Sequence, residues 1–245
     1  MKNTIVLAYH NIVKGHKLKL YDVSLEAFKK QLSRIKLSHQ LSVQEPALNQ
    51  SQKLKIVITF DDGYRGWVDN ALEPILENGL CGIFFVCVDH ILNGNITKEG
   101  ITLLKKSNMI IGSHSLTHSF LHTFSPAKLM HELSKSKEIL EDIIKEEVSC
   151  FSVPRGMYNR LVIRAARKSG YKRFFTSDIG LNRQNAFLIK RIPVKRYTSI
   201  EDFTNILNAR NLWNMAVFQW AKDRAKRILG IKNYNRLRQF AIKDV

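Results

Sequence analysis

The chain has 245 residues, 44% of them hydrophobic, with 39 Lys or Arg against 21 Asp or Glu and a formal net charge of +18. This is enough to bury the large core of one enzyme domain, and the basic surplus points to an anionic partner. Three cysteines, Cys81, Cys87 and Cys150, are an odd number that argues against a disulfide framework or a zinc knuckle and reads as reduced core residues.

Thr4 to Tyr9 is β-branched and apolar and reads as a buried first strand, with His10 at its carboxyl end. Ser24 can cap a helix carrying Leu25, Phe28, Leu32 and Ile35 on one face, and the polar stretch from Ser38 to Lys53 reads as a surface loop. Lys55 to Phe60 is a second buried strand, broken at Gly63. Trp67, Ala71 and Ile75 mark a helix ending near Gly79, and Gly82 to Val88 is the next strand. Thr97 to Lys106 is a short helix, Met109 to Ile111 a short strand, and Ser125-Pro126 opens an amphipathic helix to about Lys145. Strands are expected near Ser149 to Val153, Arg173 to Thr176 and Leu188 to Val194, and helices near Arg160 to Ser169 and Ile200 to Ala209. Repeated strand–helix units predict an α/β fold, either a parallel barrel or an open sheet.

Two segments carry chemistry. Thr59-Phe60-Asp61-Asp62-Gly63 closes one strand, and His114-Ser115-Leu116-Thr117-His118 follows another. In α/β folds ligands gather at the carboxyl ends of strands, where both segments fall. Side chains alternate along a strand, so Asp61 and Asp62 can share a pocket only if the backbone turns there, and Gly63 permits the turn. Two neutral imidazoles and one carboxylate can hold Zn²⁺ or a similar ion, while a second carboxylate takes a proton from water. Each segment alone also fits a solvated turn or a surface helix pair; their joint placement favours a hydrolytic site.

TFDDG followed by HSLTH resembles the first two motifs of the polysaccharide deacetylases, the NodB-homology or carbohydrate esterase family 4 enzymes, and Phe151 to Asn159 stands where their third motif lies. The resemblance runs over about residues 4 to 208 and implies a distorted, incomplete (β/α) barrel of the NodB-homology type. It implies an N-acetylated sugar substrate and a divalent ion, with Zn²⁺ expected first and Co²⁺, Mn²⁺ or Ni²⁺ as alternatives. By the same analogy Asp61 is the base, Asp62, His114 and His118 hold the metal, and the backbone N–H of Arg155 helps stabilise the oxyanion.

Three departures stand out. Ser119 follows His118 where proline is usual, and Ser152 and Arg155 replace the usual arginine and aromatic of the third motif. The late Leu-x-His that supplies the general acid is absent, since no histidine occurs after His131. Tyr9-His10-Asn11-Ile12 is similar to the N-terminal segment of a circularly permuted branch, which makes His10 the expected acid. A strand-end histidine bonded to a loop carbonyl is the structural alternative. His16, His39, His90, His122 and His131 lack comparable support.

Residues 1–210 are expected to form the catalytic domain and 211–245 a basic amphipathic tail. From Trp213 to Val245 there are eight Lys or Arg and two Asp, and Trp213, Val217, Trp220, Ala225 and Ile228 recur at helical spacing. Such a tail can lie on an anionic membrane or pack on the barrel with a solvated basic face. No nucleic-acid-binding signature accompanies the charge, so no nucleic-acid partner is expected. The apolar stretch before Tyr9-His10 is too short for a signal-peptide core, and no later run of ~18 apolar residues could span a bilayer. The expected location is cytoplasmic, with a peripheral place on the inner face of the cytoplasmic membrane. The expected substrate is a bacterial cell-surface polysaccharide or its lipid-linked precursor, whose phosphate could meet Arg155, Lys190, Arg191, Lys195 or Arg196; ordinary surface charge is the alternative reading of these cations. The alternative function is a catalytically impaired carbohydrate- or membrane-binding relative.

Overall fold

The computed structural model describes residues 3–15, 18–44, 54–222 and 224. His16, residues 45–53 of the polar stretch, and the tail beyond 224 with Ala225 and Ile228 lie outside the described residues, as does the side chain of His39.

One sheet organises the chain: β1 (Thr4–Tyr9), β4 (Lys55–Asp62), β5 (Gly82–Val86), β6 (Ile110–Ser113), β7 (Cys150–Ser152), β8 (Arg173–Phe175), β9 (Leu188–Ile189) and β10 (Ile192–Pro193). Its order is β10-β1-β4-β5-β6-β7-β8-β9, and every pairing is parallel. The two edge strands, β9 and β10, are separated in sequence only by Lys190 and Arg191. Adjacent Cα atoms are about 3.8 Å apart, so the chain itself holds the two edges together and the sheet must curl. The result is the distorted, incomplete (β/α) barrel. A small parallel pair, β2 (Asn11–Val13) with β3 (Asp22–Ser24), sits outside it.

Alternation along the strands sorts residues into two cores. Phe60, Phe84 and Phe151 face outward into the large core beneath the helices, while Val6, Phe85, Cys150, Phe175 and Ile189 form a smaller cluster inside the barrel. Both faces are covered, which is why these strands read as continuous apolar runs. Phe84 stacks on Phe60 with centroids 4.5 Å apart and meets Trp67 edge-on at 5.2 Å.

The helices follow the expected signals with some differences. Ser24 accepts from the Ala27 N–H, but α1 (Leu25–Gln44) continues through the first part of the stretch expected to be a loop. The helix after Asp-Asp-Gly begins as a π-turn, Trp67–Ala71, before α2 (Leu72–Glu77). There Trp67 Nε1 and Asn70 Nδ2 reach out to the carbonyls of His10 and Ile12. β5 stops at Val86, and α3 (Val88–Leu92) follows at once. Next come α4 (Lys98–Lys106), capped by Thr97, α5 (Pro126–Ile144), capped by Ser125, and α6 (Arg160–Lys168), capped by Asn159. The strand expected over Leu188 to Val194 is two short strands, because the chain turns at Lys190-Arg191. After α7 (Ile200–Leu207) a helical stretch covers 212–222, where Leu212 is buried and Met215 packs against the main core. The three cysteines are free, but Cys81 is exposed rather than in the core.

Phe84→Ala would remove the ring that both Phe60 and Trp67 contact. It should lower unfolding free energy by ~3–5 kcal/mol, read as a reduced urea midpoint with an unchanged slope.

Candidate active site

Asp61 lies on the inward face of β4, at the barrel's carboxyl mouth. Both its oxygens are gripped by Arg191: Nη1 donates to Oδ1 and Nη2 to Oδ2, each at 2.7 Å. Arg191 is 2% exposed and its remaining donors are also placed, Nε on the Thr176 carbonyl, Nη1 on Thr59 Oγ1 and Nη2 on Ser152 Oγ. All its N–H groups are therefore satisfied. Ser152 Oγ also donates to Asp61 Oδ2 at 3.3 Å. Burial pushes the Asp61 carboxyl up, but the charge and hydrogen bonds of Arg191 outweigh it and hold the group below the usual carboxylate range.

Asp62 would point to the opposite face if the strand ran on. Its φ of 89° and the 111° of Gly63 turn the backbone, and the carboxylate swings into the same cavity. A positive φ on a non-glycine residue carries local strain of ~1–3 kcal/mol, a signature of functional positions. The turn is thus made at Asp62 as well as at the glycine.

Two imidazoles converge on this carboxylate. Asp62 Oδ1 lies 3.3 Å from His114 Nε2 and 3.1 Å from His118 Nε2. One ligand atom from each of the three residues lies within 4.8 Å of the others. His114 Nδ1 is 2.8 Å from the Ser152 carbonyl, so it carries the proton and leaves Nε2 with its lone pair toward Asp62. The loop is held by Glu132, a buried carboxylate on α5 that accepts from the Leu116 and Thr117 N–H groups and from Thr117 Oγ1. This donor set, two imidazole nitrogens and one carboxylate, fits a divalent ion.

Asp61, Asp62, His114, His118, His10 and Arg155 all line one cavity of about 260 Å³. His10 stacks on Tyr21 at 4.6 Å, its carbonyl accepts from Trp67 Nε1, and its Nδ1 is buried without a hydrogen-bond partner. That orphan atom disfavours the alternative of a histidine satisfied by a loop carbonyl. Burial lowers its pKa, and the nearby Asp62 and Asp61 charges oppose that. Arg155 has φ 60°, and its side chain donates from Nε to the His118 carbonyl and lies 4.4 Å over the Phe120 ring. Next to it Gly156, at φ 68°, could carry no side chain: a Cβ would stand 2.5 Å from Ser177 Oγ.

Sequence reasoning missed the roles of Arg191, Ser152 and Glu132. Arg191 had been grouped with cations available to a phosphate; it is instead buried against Asp61. The arginine that third motifs usually supply thus comes from the β9–β10 link. The available signal was the Lys190-Arg191 pair inside an otherwise apolar run from Phe187 to Val194, which shows neither which cation is buried nor on what. For Glu132 it was an acid on the same helical face as Leu129, Leu133 and Leu140. His90, given no role, lies 6.0 Å from His118 in a stacked arrangement.

Residues 49–174 match the polysaccharide deacetylase family, and the chain belongs to it. It is 26% identical over 197 residues to YxkH of Bacillus subtilis (strain 168), which is named only by likeness to the same enzymes; the match covers 77% of this chain and 70% of that protein. It is 28% identical over 135 residues to the peptidoglycan-N-acetylmuramic acid deacetylase PdaA of the same organism, covering 53% of this chain and 49% of PdaA. The chain therefore spans about half the length of PdaA. Among solved structures, Streptococcus pyogenes deacetylase PplD in complex with acetate superposes with a TM-score of 0.72 at 22% identity, over 84% of this chain and 98% of that one. At that identity the likeness is one of fold.

Acid stability of the metal-free protein should fall in two stages. The His10 pKa is lowered in the folded state, so the unfolded chain takes that proton first and stability declines as pH falls below the ordinary 6.5. The Asp61 pKa is also lowered, so its contribution is intact above the ordinary 3.8 and is lost as pH falls through the lower folded value. Urea unfolding against pH should show His10→Gln flattening the upper stage and sparing the lower; an unchanged upper slope would mean His10 is not the buried neutral group described.

Proposed function

We infer that the chain is a metal-dependent hydrolase that removes the N-acetyl group from an amino sugar, in a bacterial cell-surface polysaccharide or its lipid-linked precursor. The observation that carries this is the division of labour between adjacent aspartates, Asp61 gripped by Arg191 and Asp62 facing two imidazoles, in one cavity with His10.

Asp62, His114 and His118 would hold the ion, with Zn²⁺ favoured by a two-imidazole, one-carboxylate set. When bound, such an ion supplies Lewis acidity and eases deprotonation of water. Asp61, kept ionised and oriented by Arg191, takes the proton of the attacking water. As the acetamide carbon becomes tetrahedral, the Arg155 backbone N–H is the proposed donor to its oxygen. The departing amine needs a proton, and His10 is the proposed source. Burial disfavours the charged form of His10 while the Asp62 and Asp61 charges favour it, so the proton that His10 gives the amine must first be taken up there. The amide C–N bond breaks, giving acetate and a free amino sugar. An intact acid candidate in the cavity favours this reading over an impaired relative.

The net charge of +18 and the exposed Trp213, Phe218 and Trp220 support placement on an anionic membrane surface, at its cytoplasmic face, with the tail from 211 onward in contact. No helix among the described residues is long and apolar enough to cross a membrane.

Acetate release and metal content, measured together on N-acetylglucosamine oligomers, test the roles. Asp62→Ala, His114→Ala or His118→Ala should lose zinc and turnover together. Asp61→Asn should keep zinc and lose turnover, and His10→Ala should keep zinc while turnover drops by roughly 10²-fold or more. Undiminished hydrolysis by Asp61→Asn would remove it from the role of base.

A further inference from the structure

A second cavity, of about 290 Å³, adjoins the catalytic one, and the two share Pro193, Lys195 and Gln219. It lies between the segment after β10, helix α7 and the stretch 212–222. Ile179, Ile206, Met215 and Phe218 give it an apolar part, and Tyr197, Thr198, Asn205, Asn211 and Gln219 a polar one. Its charged lining is Lys195, Arg210 and Lys222 with one acid, Asp202, and the Lys222 ammonium lies 3.9 Å over the Phe218 ring. Lys195 stands at the junction, with its ammonium 5.9 Å from the Tyr21 ring beside His10 and 6.0 Å from the Tyr197 ring.

We propose that this second cavity docks the phosphate and first apolar segment of a lipid-linked amino sugar whose acetamido group reaches Asp61 and Asp62; the proposal rests on the deacetylase reading above. Lys195 joins the sugar site to a cavity in which cations and apolar side chains lie side by side, as the two parts of such a molecule require. Lys195, Arg210 and Lys222 are complementary to a phosphate. Ile206, Met215 and Phe218 provide the apolar burial that a hydrocarbon gains on leaving water. A sugar polymer that is already partly deacetylated fits less well, because each amine freed along it would be repelled by the three cations.

The test titrates full-length, zinc-loaded protein with farnesyl phosphate, using farnesol and inorganic phosphate as its separate halves, followed by tryptophan fluorescence. Farnesyl phosphate should bind at least about tenfold more tightly than either half, since the apolar and charged contacts act together. Phe218→Asp and Arg210→Glu should each weaken it about tenfold or more, while zinc content and acetate release from a soluble N-acetylglucosamine oligomer stay at wild-type level. Phe218 is 63% exposed, so its replacement leaves the core intact, and circular dichroism verifies the fold. Equal farnesyl phosphate binding by wild type and both variants would overturn the proposal. So would a groove that prefers the neutral sugar tetramer, with these variants weakening the tetramer instead. Farnesyl phosphate binding that depends on Phe218 and Arg210 in a protein releasing no acetate would support the groove and count against the hydrolase alone.

Discussion

The buried fork of Arg191 on Asp61 is the interaction around which the rest is arranged. Its anchor residues come from widely separated places: Thr59 and Asp61 on β4, Ser152 on β7, Thr176 after β8, and Arg191 between β9 and β10. The link that brings the sheet's two edges together therefore also inserts the guanidinium above Phe85, whose ring is 5.6 Å away. Closing the barrel and orienting the carboxylate are one structural event. A buried ion pair is weak evidence for stability, because desolvation offsets the attraction. Here its consequence is geometric: every donor of Arg191 is committed, so Asp61 has one orientation.

Against that fixed carboxylate, one backbone turn separates the functions of two adjacent, chemically identical residues. Asp61 follows the strand's alternation into the barrel and meets a cation. Asp62, at φ 89°, leaves the strand and meets two imidazoles. The histidines are oriented in turn by backbone and by α5, through the Ser152 carbonyl and Glu132. Ser152 thus serves both halves, its side chain on Asp61 and its carbonyl on His114. The serine that stands in the third motif in place of the usual arginine ties Asp61 to the loop that carries His114.

Much of this was legible in the amino-acid sequence, for identifiable reasons. Continuous β-branched runs such as Thr4 to Tyr9 are short-range signals of strands covered on both faces. Asp61, Asp62, His114 and His118 form compact local motifs at strand ends, and His10 was found because its strand ended as theirs did. Interactions set by distant pairing were not legible. Arg191 lies 130 positions from Asp61, and nothing local tells a cation buried on a carboxylate from one awaiting a phosphate. The continuation of α1 past Ser38 escaped for another reason: the sequence there carries no sustained apolar period. The apolar neighbours of Cys81 suggest the core, but it stands just before the start of β5 and is exposed.

The central claim is that Arg191 fixes the geometry of Asp61 without taking part in holding the metal. Arg191→Lys tests it most directly, since it keeps the charge and loses the planar fork. Zinc stoichiometry and acetate release should be measured on the same folded sample. Full zinc occupancy with turnover reduced by about 10²-fold is the result this structure leads us to expect, because a base misplaced by about an ångström loses rate on that order. Wild-type turnover in folded, zinc-loaded Arg191→Lys protein would contradict it.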